Sequence, residues 1–193
     1  KLFKEDLSPA SLGKLDSLFQ INCGQTPIFE TNFDQGSLID RINKKIGIPF
    51  DIEFQNTGQG LFPYFNGSSS RIEYEFEIVS DRIAFFFVFK PRSKEEVMNH
   101  LTSFSNGTYR IGYNDEGRIT IYILNSGSSR FYSDYLVKMN EWNLLYIYLE
   151  RSGNTTFYKI KLNDHPVESG IKNSYSVNNI QSLYVGSSSS RNY

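Results

Sequence analysis

The sequence predicts an all-β chain, an antiparallel β-sandwich with one or two short N-terminal helices, on three observations. Aromatic residues are abundant, 13 Tyr and 16 Phe against 2 Met, and such side chains fit a pleated, half-buried surface better than a helix. Short apolar or alternating runs recur from Leu61 onward, and Gly, Asn and Ser mark the breaks between them, which is sandwich punctuation. A chain of 193 residues buries about 70% of the surface its unfolded form exposes. One sandwich domain over 1–193 is therefore expected, with 1–47 a helical or extended segment packed on it or leading into it.

The elements follow in order. In "SPASLGKLDSLFQ", Ser8 is a candidate N-cap, Pro9 a first helical residue, and Leu12, Leu15 and Phe19 fall at helical spacing. "SLIDRINKKIG" repeats the pattern with Ser37, Leu38, Ile42 and a closing Gly47. Between them "TPIFETNF" reads as a strand, and "IPFDIEFQ" sets Phe50, Ile52 and Phe54 against Asp51, Glu53 and Gln55. Then come "LFPYF", the turn "NGSSS", and the strands "RIEYEFEIV" and "RIAFFFVFK". The charged insert 91–107, "PRSKEEVMNHLTSFSNG", has room for a short helix before "TYRIGYN" and "RITIYIL". "DEG" joins those two as a tight turn in which Gly117 is free to take positive φ. "LLYIYL", 144–149, is a strand covered on both faces; "RSGNTT" breaks it, and 157–162 alternates with one wet face, so the pair is a hairpin.

Charge and composition exclude several functions. Twenty basic residues against 21 acidic ones leave a net charge of −1 without a cluster of either sign, so a phosphate-tracking nucleic-acid footprint is not expected. No apolar run is long enough to span a bilayer as a helix. The first residue is Lys1 and no secretory apolar stretch follows, which reads as a mature form or a piece of a larger multidomain chain. Cys23 is the one cysteine, which excludes an intrachain disulfide and a cysteine metal cluster. His100 and His165 lack a second histidine or cysteine at ligand spacing, so neither zinc nor a Ser-His-Asp triad is expected. His165, in "NDHP", reads as a solvated loop residue.

Trp142 opening a strand, the polar turn, a strand ending in Leu162, Asn163 and Asp164, and a last strand with "LYVG" resemble the laminin G-like or concanavalin A-like jelly roll. "FNGSSSRIEYEFEI", "RIAFFFVF" and "TYRIGYNDEGRITIYILNSGSS" are similar to its earlier strands, so the resemblance covers about residues 60–187. The chain departs from the family at Asn140, where glycine usually precedes the tryptophan, at Asp164 and Ser187, which replace turn glycines, and in the position of Arg151. The usual disulfide is also missing. Asn140 suits its position because Asn enters the left-handed region readily. The resemblance implies a laminin G-like jelly roll in which Trp142 plugs the core.

It also implies a noncatalytic, extracellular or secreted recognition and adhesion module that binds a glycan or an extracellular protein through loops at one rim. The candidate rim residues are Asn114, Asp115, Glu116 and Arg118 from one turn, Asn125, Ser128 and Arg130 from the next, and Asn178 with Asn179, with Tyr132 or Tyr135 giving apolar contact. No cofactor is certain. Calcium is the candidate, with Asn106 and Asn178 at the positions where the family holds ligands, and without a carboxylate that site would be weak. Asn66, Asn106 and Asn154 head glycosylation sequons in expected turns.

Two alternatives remain. One is a jelly-roll glycoside hydrolase, with Glu73 or Glu75 as acid and base; Glu73, Glu75 and Glu77 alternate along one strand face, and residues two apart on a strand stand about 7 Å apart, within the range for paired catalytic carboxylates. The plainer reading sends those glutamates to water while Ile72, Tyr74, Phe76 and Ile78 face the core. The other alternative is a structural spacer in a larger matrix protein, adhesin or toxin.

Overall fold

The computed structural model describes residues 29–31, 33, 36–56, 60–66, 69–92, 99–104, 109–123, 129–173 and 179–186. Two compact units result, Lys1–Ile48 with Glu53–Tyr64, and Pro49–Ile52 with Phe65–Tyr193. Among the described residues every named element is a strand, and no helix is long and apolar enough to cross a membrane.

In the smaller unit β2 (Glu53–Asn56) pairs with β3 (Leu61–Tyr64). The helix expected over 37–47 is not there. Ile39 bridges Ile46, residues 41–43 form a turn, and Lys44 takes φ 58°. Asp40 is the cause: its buried carboxylate accepts the N–H groups of Glu30, Ile42 and Asn43 and the Asn43 amide, a local alternative that competes with helical bonding. Residues 29–31 and 33 are not strand either. The helix expected around Ser8 to Phe19 lies outside the described residues, as does Cys23.

"IPFDIEFQ" is broken rather than continuous. Asp51 sits at φ 51° and ends β1 (Ile48–Phe50), so β1 and β2 join different sheets.

The larger unit is an antiparallel β-sandwich. One sheet runs β1, β4 (Arg71–Val79), β13 (Asn179–Gly186), β6 (Asn99–Phe104), β7 (Tyr109–Tyr113), β8 (Arg118–Ile123) and β9 (Ser129–Leu136). The other runs β12 (Glu168–Lys172), β11 (Thr155–Leu162), β10 (Asn143–Ser152) and β5 (Arg82–Phe89). Part of the insert where a helix was expected is the strand β6. Its alternation was hidden because the register with β7 shifts between His100 and Thr102, the mark of a bulge. Residues 93–98 lie outside the described set.

The core forms where inward positions of the two sheets meet. Ile72, Tyr74, Ile111, Ile119, Ile121 and Phe131 come from one sheet and Leu145, Ile147, Leu149, Ile160 and Leu162 from the other, all buried. Phe131 meets Tyr158 edge-on at 4.9 Å between ring centroids, and Phe85 meets Phe104 at 5.6 Å. Gly170 lies opposite Tyr158 on β12, where a side chain would strike the tyrosine ring.

The entry to β10 is organised by an asparagine. Trp142 is half-buried, whereas the neighbouring Asn143 is only 1% exposed. The Asn143 amide donates to the carbonyls of Lys138 and Glu141, and its oxygen accepts the Lys138 N–H and the Asn163 amide. Asn140 (φ 59°) and Asn163 (φ 52°) take left-handed positions at either side of this network. Trp142 is therefore not the buried plug that the resemblance implied.

Candidate functional site

The expected rim residues separate in the structure. Asn114, Asp115 and Glu116 form the β7–β8 turn, closed by bonds from Gly117 N–H to the Asn114 carbonyl at 2.9 Å and from Arg118 N–H to Asn114 Oδ1 at 2.8 Å. Gly117 has φ 90°, as its place in "DEG" required. Arg118 turns inward on its neighbours, donating to Glu116 Oε2 at 2.8 Å and to the Ser133 carbonyl at 3.1 Å. Arg130 is not in a turn: it lies on β9 with Tyr132. Asn179 opens β13 instead of lying in the loop before it, and Asn106, Asn125, Ser128 and Asn178 lie outside the described residues.

The face of the seven-stranded sheet that turns away from the core carries the stronger constellation. Glu73 pairs with Tyr184, Tyr184 with Ser103, Ser103 with Arg110, Arg110 with Tyr122, and Tyr122 with Arg130. Directly opposed residues of antiparallel strands point to the same face, so these six side chains form one row across six strands. At strand spacing the row is roughly 24 Å long. A second row places His100, Gly112, Thr120 and Tyr132 beside it. Gly112, between His100 and Thr120 in that row, is itself buried.

Chemistry varies along the rows. Arg130 and Tyr132 are exposed at the β9 edge, Tyr122 and Arg110 are half-buried, and Ser103 and Tyr184 are buried. The Arg130 guanidinium lies 5.1 Å from the Tyr122 ring centre. Hydrogen bonds to Tyr132 first, and also to Tyr122, hold it more firmly in its charged form. Burial, and then the nearby charge of Arg110, push the His100 imidazole down to about 4, so it is neutral at physiological pH. Glu73 is half-buried, and Glu75 and Glu77 are exposed. Ile72 and Tyr74 face the core as expected, while the side chains of Phe76 and Ile78 lie outside the described set.

Sequence reasoning missed this face because its members come from six strands scattered between residues 73 and 184. Only their alternation was visible in advance. No group of three or more His, Cys, Asp or Glu able to hold a metal occurs among the described residues. His165 is half-buried rather than solvated, and its ring stacks on Tyr135 at 4.0 Å and 7°.

The sequons differ in availability. The Asn66 amide donates to Asp51 and Ser69, and its oxygen accepts the N–H groups of Ser69 and Ser70. A bond from the Ser69 hydroxyl, and then the one from the Asn66 amide, hold the Asp51 carboxyl below its usual range. Asn154 is exposed in the two-residue turn between β10 and β11. Expression in a glycosylating host should therefore modify Asn154 and leave Asn66 bare, read as a glycan-sized mass loss in Asn154→Gln and none in Asn66→Gln.

No family model matches the chain, and no curated protein matches it. Among solved structures, domain 4 of AbnA, a GH43 extracellular arabinanase from Geobacillus stearothermophilus, in complex with arabinotriose, is similar with a TM-score of 0.52 at 14% identity, over 81% of this chain and 89% of that one. The likeness is one of fold. The carbohydrate-binding module CBM66 from Bacillus subtilis aligns with a TM-score of 0.43 at 12% identity, over 74% of this chain and 92% of its own. The enzymatically active domain of bacteriophage CBA120 tailspike protein 2 aligns at 0.48 and 11% identity, over 89% of this chain and 28% of its own.

Proposed function

We propose that this chain is a noncatalytic, extracellular glycan-binding module whose ligand lies along the non-core face of the seven-stranded sheet, over β7, β8 and β9. The observation that carries the reading is the row Arg110, Tyr122 and Arg130 with Tyr132 beside it. Tyrosine rings offer apolar faces to sugar rings while arginines and hydroxyls fix the orientation of the sugar hydroxyls. The fold shared with the arabinanase domain, which was solved with arabinotriose, agrees with this choice of ligand class. A laminin G-like adhesion role would use the rim instead. At the 114–117 turn the Asn114 and Arg118 groups are already engaged by their own neighbours, which favours the face.

A glycan-array screen, run with calcium and again with chelator, tests the reading. Binding is expected, and Tyr122→Ala should weaken it roughly ten-fold or more, the loss typical of a central aromatic contact. Silence in both conditions would remove the glycan reading. Binding abolished by chelator would instead move the site to a metal-bearing rim.

A hydrolase remains the second reading, because Glu73 shares its row with Tyr184 and stands two residues from Glu75 on the same face. Release of reducing sugar that disappears in both Glu73→Gln and Glu75→Gln would establish it.

A further inference from the structure

The smaller unit carries an exposed apolar patch. Ile46 is 71% exposed, Ile48 54%, Ile39 43% and Ile42 41%. Isoleucine is among the residue types most often buried, so four exposed within ten residues form a patch and not a scatter. Their positions agree in direction. Ile39 bridges Ile46 directly, which sets the two side chains on one side of the loop. Gly47, between Ile46 and Ile48, is buried, so alternation sends Ile48 outward with Ile46. Ile42 lies in the turn 41–43 at the tip.

The backbone beneath the patch is held in place. The buried Asp40 carboxylate accepts the N–H groups of Glu30, Ile42 and Asn43. Asp40 N–H donates to the Lys45 carbonyl and Gly47 N–H to the Leu38 carbonyl, each at 2.8 Å. The isoleucines are thus presented in a fixed arrangement, with little left to order on binding.

Charge indicates what they meet. Arg41, Lys44 and Lys45 are exposed on the same loop. Against these three cations stand Glu30, which pairs with Arg41 at 3.3 Å, and Asp40, which is buried under the turn. The loop therefore keeps a positive excess in a chain whose net charge is −1. Apolar side chains at a tip beside lysine and arginine match the boundary of an anionic bilayer, where apolar groups enter toward the acyl chains and cations stay with the headgroups. A protein partner fits less well. Four isoleucines at these exposures offer on the order of a few hundred Å², short of the roughly 800 Å² per partner of a standard interface.

We propose that the segment 39–48 docks this chain on an anionic phospholipid surface, with Ile42 and Ile46 entering the headgroup boundary and Lys44 and Lys45 lying against the lipid headgroups. The inference stands apart from the glycan reading, because it uses none of the residues of the sheet face.

Co-sedimentation of the full chain with vesicles tests this, using phosphatidylcholine alone and phosphatidylcholine mixed with phosphatidylserine at about three to one. The native chain is expected to bind the mixed vesicles roughly ten-fold or more tightly than the neutral ones, and added salt should weaken that binding. Lys44→Asn with Lys45→Gln should remove the preference; asparagine keeps the left-handed backbone that Lys44 holds at φ 58°. Ile42→Ser with Ile46→Ser should lower binding to the mixed vesicles roughly ten-fold or more. All four substituted side chains are exposed, so both variants should keep the native urea midpoint. The comparison of vesicle compositions on the native chain needs no variant at all. Equal binding to both compositions, or binding to neither, overturns the proposal, as does binding that neither variant weakens. A concentration-dependent dimer without lipid, dissolved by Ile42→Ser with Ile46→Ser, would assign the patch to a second copy and overturn it too.

Discussion

Asn143→Ala is expected to destabilise the protein by about 4 kcal/mol, at roughly 1 kcal/mol for each well-formed bond lost from a buried amide. The side chain makes four: two from its amide to the Lys138 and Glu141 carbonyls, and two at its oxygen from the Lys138 N–H and the Asn163 amide. Asn163 in turn accepts the Leu144 N–H at 2.8 Å, so the loss reaches the β11 end of the hairpin. Removing the amide leaves these groups partly buried without partners. Urea unfolding at neutral pH measures the effect as a lower midpoint with an unchanged slope. Trp142→Phe, at the half-buried neighbour, should cost less. If Asn143→Ala costs under about 1 kcal/mol while Trp142→Phe costs more, the tryptophan organises the strand entry after all.

The second large effect is acid sensitivity centred on His100. Its imidazole is held at about 4 in the folded chain against 6.5 when exposed. The folded state therefore binds fewer protons than the unfolded state between those values, and stability rises with pH there. The contribution is complete above about pH 6.5 and is lost progressively as pH falls to about 4. A shift of that size corresponds to about 3 kcal/mol. Arg110 adds to the repulsion of a second positive charge, and the cross-strand neighbours Gly112 and Thr120 offer no carboxylate to offset it. Asp51 and Glu150 are also held below their usual range, Asp51 by Ser69 and Asn66, Glu150 by Tyr148 and then Arg82. Their contribution is lost at lower pH, as each falls through its own folded value, so the two windows separate. Unfolding midpoints between pH 7 and 4 should fall steeply in the native chain and much less in His100→Gln. Equal slopes would show that His100 is not the group responsible.

These two residues show where reading the chain in one dimension stops. Trp142 drew attention because it is large and single, yet burial settled on Asn143, whose value lies in four partners contributed by residues 138, 141 and 163. His100 looked uninformative because it has no second histidine or cysteine at ligand spacing, and the register shift that follows it hid its strand. Asp40 turned an apparent helix into a turn by capturing three backbone N–H groups, and helical spacing of Leu38 and Ile42 could not reveal that competition. Arg130 and Tyr132 were named from sequence, but as parts of a rim; pairing with β8 puts them on the sheet face.

By itself the sequence determined the class of the fold and its local punctuation. Period-two alternation and aromatic content specify strands, "RSGNTT" and "DEG" specify their hairpins, and Gly117 and Asn140 supply the left-handed positions, because all of these depend on residues close together in the chain. Only the tertiary structure decided which strands are neighbours. Tyr184 meets Glu73 and Ser103 through pairings between strands far apart in sequence, and such long-range registers are set by burial of the whole core face rather than by any local pattern. The candidate site is a product of those registers, which is why its residue types were visible in the sequence and their company was not.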